Sequence, residues 1–190
     1  MDNNSNIEYR IKKDFLYSQL SKLASSNAIN KWDIGAYSSN DLSVQVDKGE
    51  SKQLKASTKK SLTIRVWNKE DILGITSTSD YSESGIRKAF EGALNASYFG
   101  NSKDSPKFSK LSSSPLIEKE NIIRSSKGIK VLLNILRQAE SDLLASHNHI
   151  NSVPYNGLAE ANIEKLYLNS DSSSRQMQLS QASLYLYAKA

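Results

Sequence analysis

The sequence predicts an α+β fold in which an antiparallel sheet packs against two to three amphipathic helices. The first observation is the alternation of apolar and polar side chains over residues 62–67, which has the period of a strand with one buried face. A polar turn and a second strand-like segment, 72–78, follow, and the two segments together indicate a β-hairpin. The second observation is a stripe of apolar side chains at helical spacing over residues 86–98. Because the hairpin and the helix each have one apolar face, we expect them to pack on each other.

The residues at the ends of this central helix match known start and stop signals. Asp80 and Glu83 have the D-x-x-E spacing of a capping box, which predicts that the helix begins after Asp80. Gly100 is placed to end the helix in a left-handed conformation. Apolar residues at helical spacing predict two further helices, one over residues 7–27 and one from residue 125 or 126 to about 145.

The remaining segments have the patterns of strands and turns. Residues 32–46 alternate as a strand, with a bend or bulge expected near Ser39, and a polar turn at 47–50 follows. The next segment, 51–60, is rich in lysine and poor in apolar residues, which is typical of an exposed or edge strand. Residues 161–188 form a final predicted hairpin around a polar reversal.

We expect residues 1–190 to form a single N-terminal α+β domain of a longer protein. Two of the three prolines lie in the serine-rich segment 101–115, which is predicted to be a surface connection. Residues 184–187 are apolar or aromatic on both strand faces, so we expect this strand to be covered on both sides in the complete protein. Ala190 follows it without a turn or cap, which indicates that a C-terminal, catalytic-type domain is absent from this chain.

Composition narrows the classes of function. The chain has 190 residues, a net charge of +5 and no cysteine, which excludes disulfides, thiolate nucleophiles and cysteine-ligated zinc. Neither a membrane-length apolar run nor a signal segment is present, so we expect a cytoplasmic protein. The basic residues are scattered along the chain, which argues against a nucleic-acid surface.

Few residues are candidates for chemistry. His147 and His149 could ligate a metal, but a site needs a third ligand, and a position just past a helix C-terminus is the favoured interpretation. The carboxylate pairs at residues 70–71 and 118–120 are interpreted as solvated surface. The sequence has no H-E-x-x-H, P-loop or G-x-S-x-G motif. We therefore predict no catalytic, metal-binding or cofactor-binding residue in this chain.

The lysine-rich segment 48–60 has two interpretations. An exposed edge strand can bind an extended peptide by adding it to the sheet through backbone hydrogen bonds. Lysines on an edge strand also protect it from aggregation, and this second interpretation is favoured.

Several segments in order resemble the N-terminal domain of the TldD/PmbA family. They are a strand and turn at 42–50 (LSVQVDKGE), a strand at 62–67 (LTIRVW) similar to the family's "vrv" strand, and 74–80 (GITSTSD), similar to its G-x-a-s-T-s/n-D strand. An alanine-containing helix follows, and Asn169-Ser170 resembles the family's N-S-x-G turn. The chain departs from the family pattern at Ser172, where the family usually has glycine, and at Lys60-Ser61, where a glycine often precedes the strand.

The resemblance implies a part in peptide processing. Family members are peptidases whose two related subunits form a heterodimer around a chamber, and some are labelled modulators of DNA gyrase. One subunit type holds zinc through an H-E-x-x-x-H helix and a cysteine, in a part of the family sequence beyond this chain's end. Residues 76–80 and 104–106 are closer to the PmbA type, which lacks that motif.

The resemblance therefore implies a non-catalytic domain that is inactive alone. Zinc is expected in the missing domain or in a TldD-type partner, and the domain would contribute to the chamber, the subunit contact or the guidance of extended peptides. The expected partners are a related TldD-type subunit or a second copy of the chain, together with unfolded or extended peptides. No membrane partner is expected. Two alternatives are a protein that acts directly on gyrase or DNA and a stand-alone adaptor that binds extended peptides at its edge strand.

Overall fold

The computed structural model describes residues 10–100, 107–109, 114 and 125–190. Its five strands form one antiparallel sheet in the order β3-β2-β1-β4-β5, and three helices pack on it, which confirms the predicted α+β fold. The helices are α1 (Lys13–Ser26), α2 (Glu83–Ser97) and α3 (Ile129–Ser146), and the strands are β1 (Lys31–Asp47), β2 (Glu50–Trp67), β3 (Leu73–Thr78), β4 (Ser152–Asn169) and β5 (Ser174–Lys189). None of the helices among these residues has the length and apolar character needed to span a membrane.

The chain divides into two compact units, each with its own apolar core. Unit 1 consists of Met1–Ser38, Lys59–Glu120 and Glu164–Met177, and unit 2 of Ser39–Thr58, Asn121–Ile163 and Gln178–Ala190. The four long strands β1, β2, β4 and β5 therefore each contribute one part to each unit.

The core of unit 1 follows the predicted pattern closely. Alternate residues of β2 bury their side chains, and so does the apolar stripe of α2, with Phe90 at its centre. Gly74 of β3 lies so close to α2 that a Cβ at this position would collide with the backbone of Ala93, which accounts for a glycine inside a strand. The buried residues of this core are Ile11, Leu16, Leu20, Ala24, Ile29, Trp32, Ile34, Ala36, Leu62, Ile64, Val66, Ile86, Ala89, Phe90, Ala93, Leu94, Leu166 and Leu168.

The core of unit 2 is smaller and is built around α3. Its buried apolar residues are Val44, Val46, Leu132, Leu136 and Leu158. Glu140, also on α3, is buried and accepts hydrogen bonds from the backbone N–H groups of Lys48 and Gly49 in the β1–β2 turn. α3 thus stabilises the turn through a carboxylate, in addition to the apolar core that it forms with β1 and β4.

The predicted turn between β1 and β2 is confirmed. Lys48 and Gly49 both have positive φ, 51° and 79°, which is the backbone pattern of a two-residue type I′ hairpin. Ser172, in the turn between β4 and β5, also has a positive φ of 61°. A glycine would adopt this conformation without steric cost.

Both predicted ends of α2 are wrong. The cap is Ser82, whose hydroxyl accepts the N–H of Gly85, whereas the Asp80 carboxylate accepts the N–H of Ser82 one turn earlier. Hydrogen bonds from the backbone and the side chain of Ser82 lower the pKa of Asp80. At the other end, Tyr98 is the C-cap with a φ of −75°, and Gly100 is not left-handed. Asp80 and Glu83 therefore form no capping box, since the N–H of Asp80 donates to the Thr78 hydroxyl and the Asp80 carboxylate stabilises a turn that precedes the helix.

Other predicted boundaries shift without changing the fold. β1 continues as a strand through the position of the bend or bulge predicted near Ser39, and β4 begins at Ser152, before the predicted start of the final hairpin at residue 161. α1 begins at Lys13 and α3 at Ile129, after Gly128, whose φ of 80° is not helical. Most of the predicted connection 101–115 lies outside the described residues.

Candidate functional site

The lysine-rich part of β2 is an open sheet edge. β3 pairs with β2 only from Leu62↔Thr78 to Trp67↔Leu73, so no described strand pairs with the outer side of residues 50–58 in unit 2. The side chains of residues 50–56 are all exposed, including that of Leu54. The prediction of an exposed strand is confirmed, and this edge offers unpaired backbone groups to an extended chain.

The turn defines which backbone groups of this edge are free. In a two-residue hairpin the residues next to the turn, Asp47 and Glu50, form a hydrogen-bonded pair, and such pairs recur at every second residue. The N–H of Lys55 therefore points away from β1, towards the open side. This geometry makes Lys55 the position at which the edge can be tested.

The other outer strand, β5, exposes apolar side chains within unit 2. Leu184 is 50% exposed and Tyr187 is 63% exposed, and Tyr155 on β4 is 71% exposed. The ring of Tyr185 lies 6.1 Å from that of Tyr187, and its hydroxyl accepts a hydrogen bond from the Gln45 side chain. Leu186 is partly buried and packs against the unit 2 core, whereas Leu184, Tyr185 and Tyr187 stay partly exposed in this chain.

Unit 1 has a groove on the face of its sheet opposite the core. The buried side chains of β1, β2 and β4 in this unit are those of alternate residues, such as Ile34, Leu62 and Leu166, so the residues between them face the other side. The groove has a volume of about 590 Å³. It runs across four strands, and its walls include Gly35, Tyr37, Thr63, Lys165, Tyr167 and Met177.

A buried carboxylate organises one end of this groove. Arg65 donates two hydrogen bonds to Asp33, from Nε at 2.6 Å and from Nη2 at 2.5 Å, and the Asp33 side chain is only 2% exposed. Tyr167 donates its hydroxyl to Oδ2 of Asp33 at 3.2 Å. The bond to Asp33 raises the pKa of Arg65, and burial, followed by the charge of Asp33, raises the pKa of Tyr167. The Tyr167 ring is therefore held in one position as a neutral phenol.

A second tyrosine, Tyr81, bonds to the backbone of two residues that line the groove. The hydroxyl of Tyr81 lies 2.9 Å from the carbonyl oxygen of Tyr37 and 2.8 Å from that of Ser61, and it accepts the N–H of Tyr37 at 3.2 Å. Burial raises the pKa of Tyr81 to about 12. The phenol is neutral at physiological pH, and it links β1 to β2 where both strands line the groove.

The candidates for metal chemistry do not converge. His147 is the C-cap of α3, and its ring stacks on that of His149 at 5.1 Å, which agrees with the helix-end interpretation. Glu70 and Asp71 lie exposed at the β2–β3 turn, and the pair at 118–120 lies outside the described residues. Within the part of the chain that the structure describes, no three His, Cys, Asp or Glu side chains are grouped to hold a metal ion.

Comparison with protein families agrees with the fold. Residues 32–97, from the start of β1 to the end of α2, match the family of the PmbA/TldA metallopeptidase domain 1. This segment is therefore similar to the first domain of PmbA/TldD-type proteins, and the predicted resemblance is confirmed. The closer likeness to the PmbA type stays a prediction. No curated protein matches the sequence significantly.

Solved structures share the fold over almost the whole chain. A candidate modulator of a DNA gyrase from Thermotoga maritima has a TM-score of 0.77 and 17% identity, and the match covers 94% of this chain and 40% of that one. TldE from Thermococcus kodakarensis has a TM-score of 0.75 and 18% identity, with 90% and 39% covered. A candidate modulator of DNA gyrase from Bacteroides thetaiotaomicron has a TM-score of 0.71 and 13% identity, again with 90% and 39% covered. The chain thus spans about two fifths of the length of these structures.

Sequence reasoning missed the groove and its buried carboxylate. Asp33 and Arg65 occupy outward positions on two neighbouring strands, and their opposite charges were a usable signal. The pairing of β1 with β2 decides whether the two side chains meet, and alternation within each strand does not give that register. Gly35, inside a strand, was a second signal of an unusual surface.

Proposed function

We propose that this chain is the non-catalytic first domain of a cytoplasmic PmbA/TldD-type metallopeptidase subunit and that it guides extended peptides. The family match over residues 32–97 supports the class. The sequence contains no H-E-x-x-x-H motif and no cysteine, and the described residues have no cluster that fits zinc. We therefore propose that the zinc of the complete enzyme is bound outside this chain, in a following domain or in a TldD-type partner, and that this chain alone hydrolyses no peptide.

The open edge of β2 is the observation that carries the peptide-guiding role. Residues 50–58 are paired on one side by β1, while their other side faces no described strand. An extended peptide can complete this edge with main-chain hydrogen bonds, which recognise an unfolded chain whatever its sequence. A peptidase that acts on unfolded peptides needs that kind of recognition.

Peptide binding at the edge can be tested with two substitutions at one position. Lys55→Pro removes the outward N–H, whereas Lys55→Thr removes the charge but keeps the N–H. We expect a fluorescently labelled, unstructured twelve-residue peptide to bind the wild-type chain and the threonine variant within about twofold of each other. The proline variant should bind at least about tenfold more weakly, because both its N–H and the edge geometry are lost.

Fluorescence anisotropy gives the affinities, and circular dichroism checks that each variant is folded. Equal binding by a folded proline variant would refute the edge as the peptide site. If the threonine variant binds the peptide as weakly as the proline variant, the binding depends on the charge of Lys55 and not on its N–H. No binding by the wild-type chain at millimolar peptide would refute the peptide-guiding role in this chain.

The exposed apolar surface of β5 favours a second role, contact with a related subunit. Exposed apolar side chains that cluster in one part of a protein can mark an interaction site, and Leu184, Tyr187 and Tyr155, each at least half exposed, lie on the neighbouring strands β4 and β5 of unit 2. Aromatic residues of this kind are enriched at the centres of subunit interfaces. We propose that a TldD-type subunit covers this surface in a heterodimer.

Co-expression with a TldD-type protein from the same genome tests this contact. The double variant Leu184→Lys/Tyr187→Lys should lose co-purification with that subunit, since a buried interface tolerates unpaired charge poorly. The control Val131→Lys/Ile135→Lys places the same charges on exposed positions of α3 and should retain it. Co-purification that survives the β5 variant would contradict the role of this strand.

Direct action on DNA or gyrase is the alternative that two solved relatives suggest, since both are candidate modulators of DNA gyrase. A DNA-binding surface predicts an affinity that falls steeply with salt. We expect no gel shift with duplex DNA at about 50 mM salt. A salt-sensitive shift would favour this alternative over the peptide-guiding role.

A further inference from the structure

We propose that the groove of unit 1 binds a carboxylate group attached to an apolar side chain, as found at the end of a peptide or in an acidic residue next to an apolar one. The site lies on the face of the sheet opposite the core, with its walls on β1, β2, β4 and β5. It is separate from the β2 edge at residues 50–58, and the proposal does not rest on that edge.

The first argument is the space at Gly35. A Cβ at this position would meet no atom within 4 Å, so the backbone of β1 is open to a ligand at the floor of the groove. Side chains on the neighbouring strands, such as Thr63 and Tyr167, stand on either side of this floor. The volume of about 590 Å³ lies within the range of small-molecule and peptide-end pockets.

The second argument is charge. Among the described residues, those that line the groove include Lys165 and Arg175 and no aspartate or glutamate. Lys165 is exposed, and no described residue forms an ion pair with it. Two buried acids lie behind the lining: Asp33 accepts two hydrogen bonds from Arg65, and Glu164 accepts hydrogen bonds from the Gln176 side chain and the N–H of Ile11. An anion entering the groove would therefore meet a lysine and no competing carboxylate on the lining.

The third argument is the apolar and rigid character of the walls. Tyr37, Tyr167 and Met177 line the groove, and Met177 is 44% exposed. Asp33 holds the hydroxyl of Tyr167, and Tyr81 holds the backbone of Tyr37, so little ordering is needed when a ligand binds. Apolar walls beside a cation match a ligand that joins a carboxylate to an apolar or aromatic group.

Three small peptides distinguish the sources of the carboxylate. The first is N-acetyl-Leu-Phe with a free C-terminal carboxylate, the second is its C-terminal amide, and the third is N-acetyl-Glu-Phe amide, whose only carboxylate is a side chain. We expect the first to bind the complete 190-residue chain in isothermal titration calorimetry and the amide to bind at least about tenfold more weakly. Binding of the third peptide would show that side-chain carboxylates are also accepted, and its failure would restrict the site to peptide C-termini.

Two variants link the binding to the groove. Lys165→Gln removes the cation, and we expect it to weaken binding of the free carboxylate about tenfold. Gly35→Val fills the floor at a position with free space and strand-compatible backbone, so it should fold normally and lose binding. Lys130→Gln, which changes an exposed lysine of α3, is the matched control and should bind like the wild type.

The proposal is overturned if N-acetyl-Leu-Phe does not bind at millimolar concentration, or if it binds no better than its amide. It is also overturned if Lys165→Gln and Gly35→Val both bind like the control. A loss in Lys165→Gln with full binding in Gly35→Val would assign the anion to surface charge and would likewise exclude the groove.

Discussion

The two units of this chain bury apolar surface to very different extents. Among the described residues, the core of unit 1 contains 18 buried apolar residues around α1 and α2, whereas that of unit 2 contains five around α3. In unit 2 two buried polar side chains satisfy backbone groups, Glu140 at the β1–β2 turn and Asn156 at Val46. Unit 1 also uses buried polar side chains, those of Asn68, Asn169 and Glu164, to bind backbone groups, so the two units differ in the size of their apolar cores.

This difference connects stability with function. Unit 2 leaves apolar residues of β5 exposed and also contains the open edge of β2, so the unit with the small core has the surfaces that can accept another chain. Regions that bind partners are commonly drawn from the less stable part of a protein. Unit 1 has the larger apolar core and contains the groove.

The largest expected effect is at the centre of the unit 1 core. Phe90 is fully buried, so Phe90→Ala should lower the free energy of unfolding by about 3–5 kcal/mol, from lost apolar burial and the cavity left behind. The matched control is Phe99→Ala, because Phe99 is 91% exposed, and it should change stability by less than about 0.5 kcal/mol. Urea denaturation measures both, and a small loss for Phe90→Ala would contradict the dominance of this core.

A smaller effect is expected at the buried carboxylate of unit 2. Glu140→Ala removes two charge-assisted hydrogen bonds to the turn, at 3.2 Å and 2.7 Å, and should cost about 1.5–3 kcal/mol. The control Glu91→Ala removes an exposed carboxylate from α2 and should be nearly neutral. The loss should also appear as faster amide exchange in the β1–β2 turn. Slow exchange there in Glu140→Ala would show that the turn does not need the carboxylate.

The next effect is at the tyrosine that links β1 to β2. Tyr81→Phe removes the hydroxyl shared by Tyr37 and Ser61 and should cost about 1 kcal/mol at neutral pH. Because burial raises the pKa of Tyr81 to about 12, its ionisation opposes folding, and this contribution to stability is present below about pH 10 and lost as the pH rises towards 12. The difference in the free energy of unfolding between the wild type and Tyr81→Phe, measured by chemical denaturation, should therefore narrow over that pH range. A difference that stays constant up to pH 12 would contradict the shifted pKa.

The smallest effect is a gain in stability at a left-handed residue. Ala28 has a φ of 53° just after α1, where the N–H of Ile29 bonds to the carbonyl of Ala24, the arrangement of a Schellman motif. Ala28→Gly should raise the melting temperature, with a gain of about 0.5–1 kcal/mol, because glycine adopts this conformation without steric cost. Ser25→Gly, within the helix itself, should lower the free energy of unfolding by about 0.5 kcal/mol. Equal effects of the two substitutions would refute this account of the helix end.

Sequence patterns predicted elements of this fold well where apolar residues repeat with a fixed period. Alternation over residues 62–67 and the helical stripe from Ile86 gave the hairpin and α2, because in each case a single buried face repeats with a fixed period. The boundaries of α2 were wrong because Asp80 and Ser82 both resemble N-caps, and the choice between them depends on the turn that Asp80 itself stabilises.

The surfaces were harder to predict than the core. The open edge of β2 was recognised from its lysines, but the groove depends on how β1, β2 and β4 are aligned, which determines that Arg65 meets Asp33 and that Tyr167 joins them. The division into two units was not predicted either, since it arises from long strands that each contribute to two cores.

Hydrogen exchange with mass spectrometry tests the contrast between the two units most directly. Amides of unit 1, such as those of residues 62–67 in β2, should exchange only through openings close to the global free energy of unfolding. Amides of unit 2, in residues 42–46 of β1 and 184–187 of β5, should exchange through openings of clearly lower free energy. Equal protection of the two sets, with exchange limited by global unfolding in both, would contradict the view that unit 2 is the less stable unit.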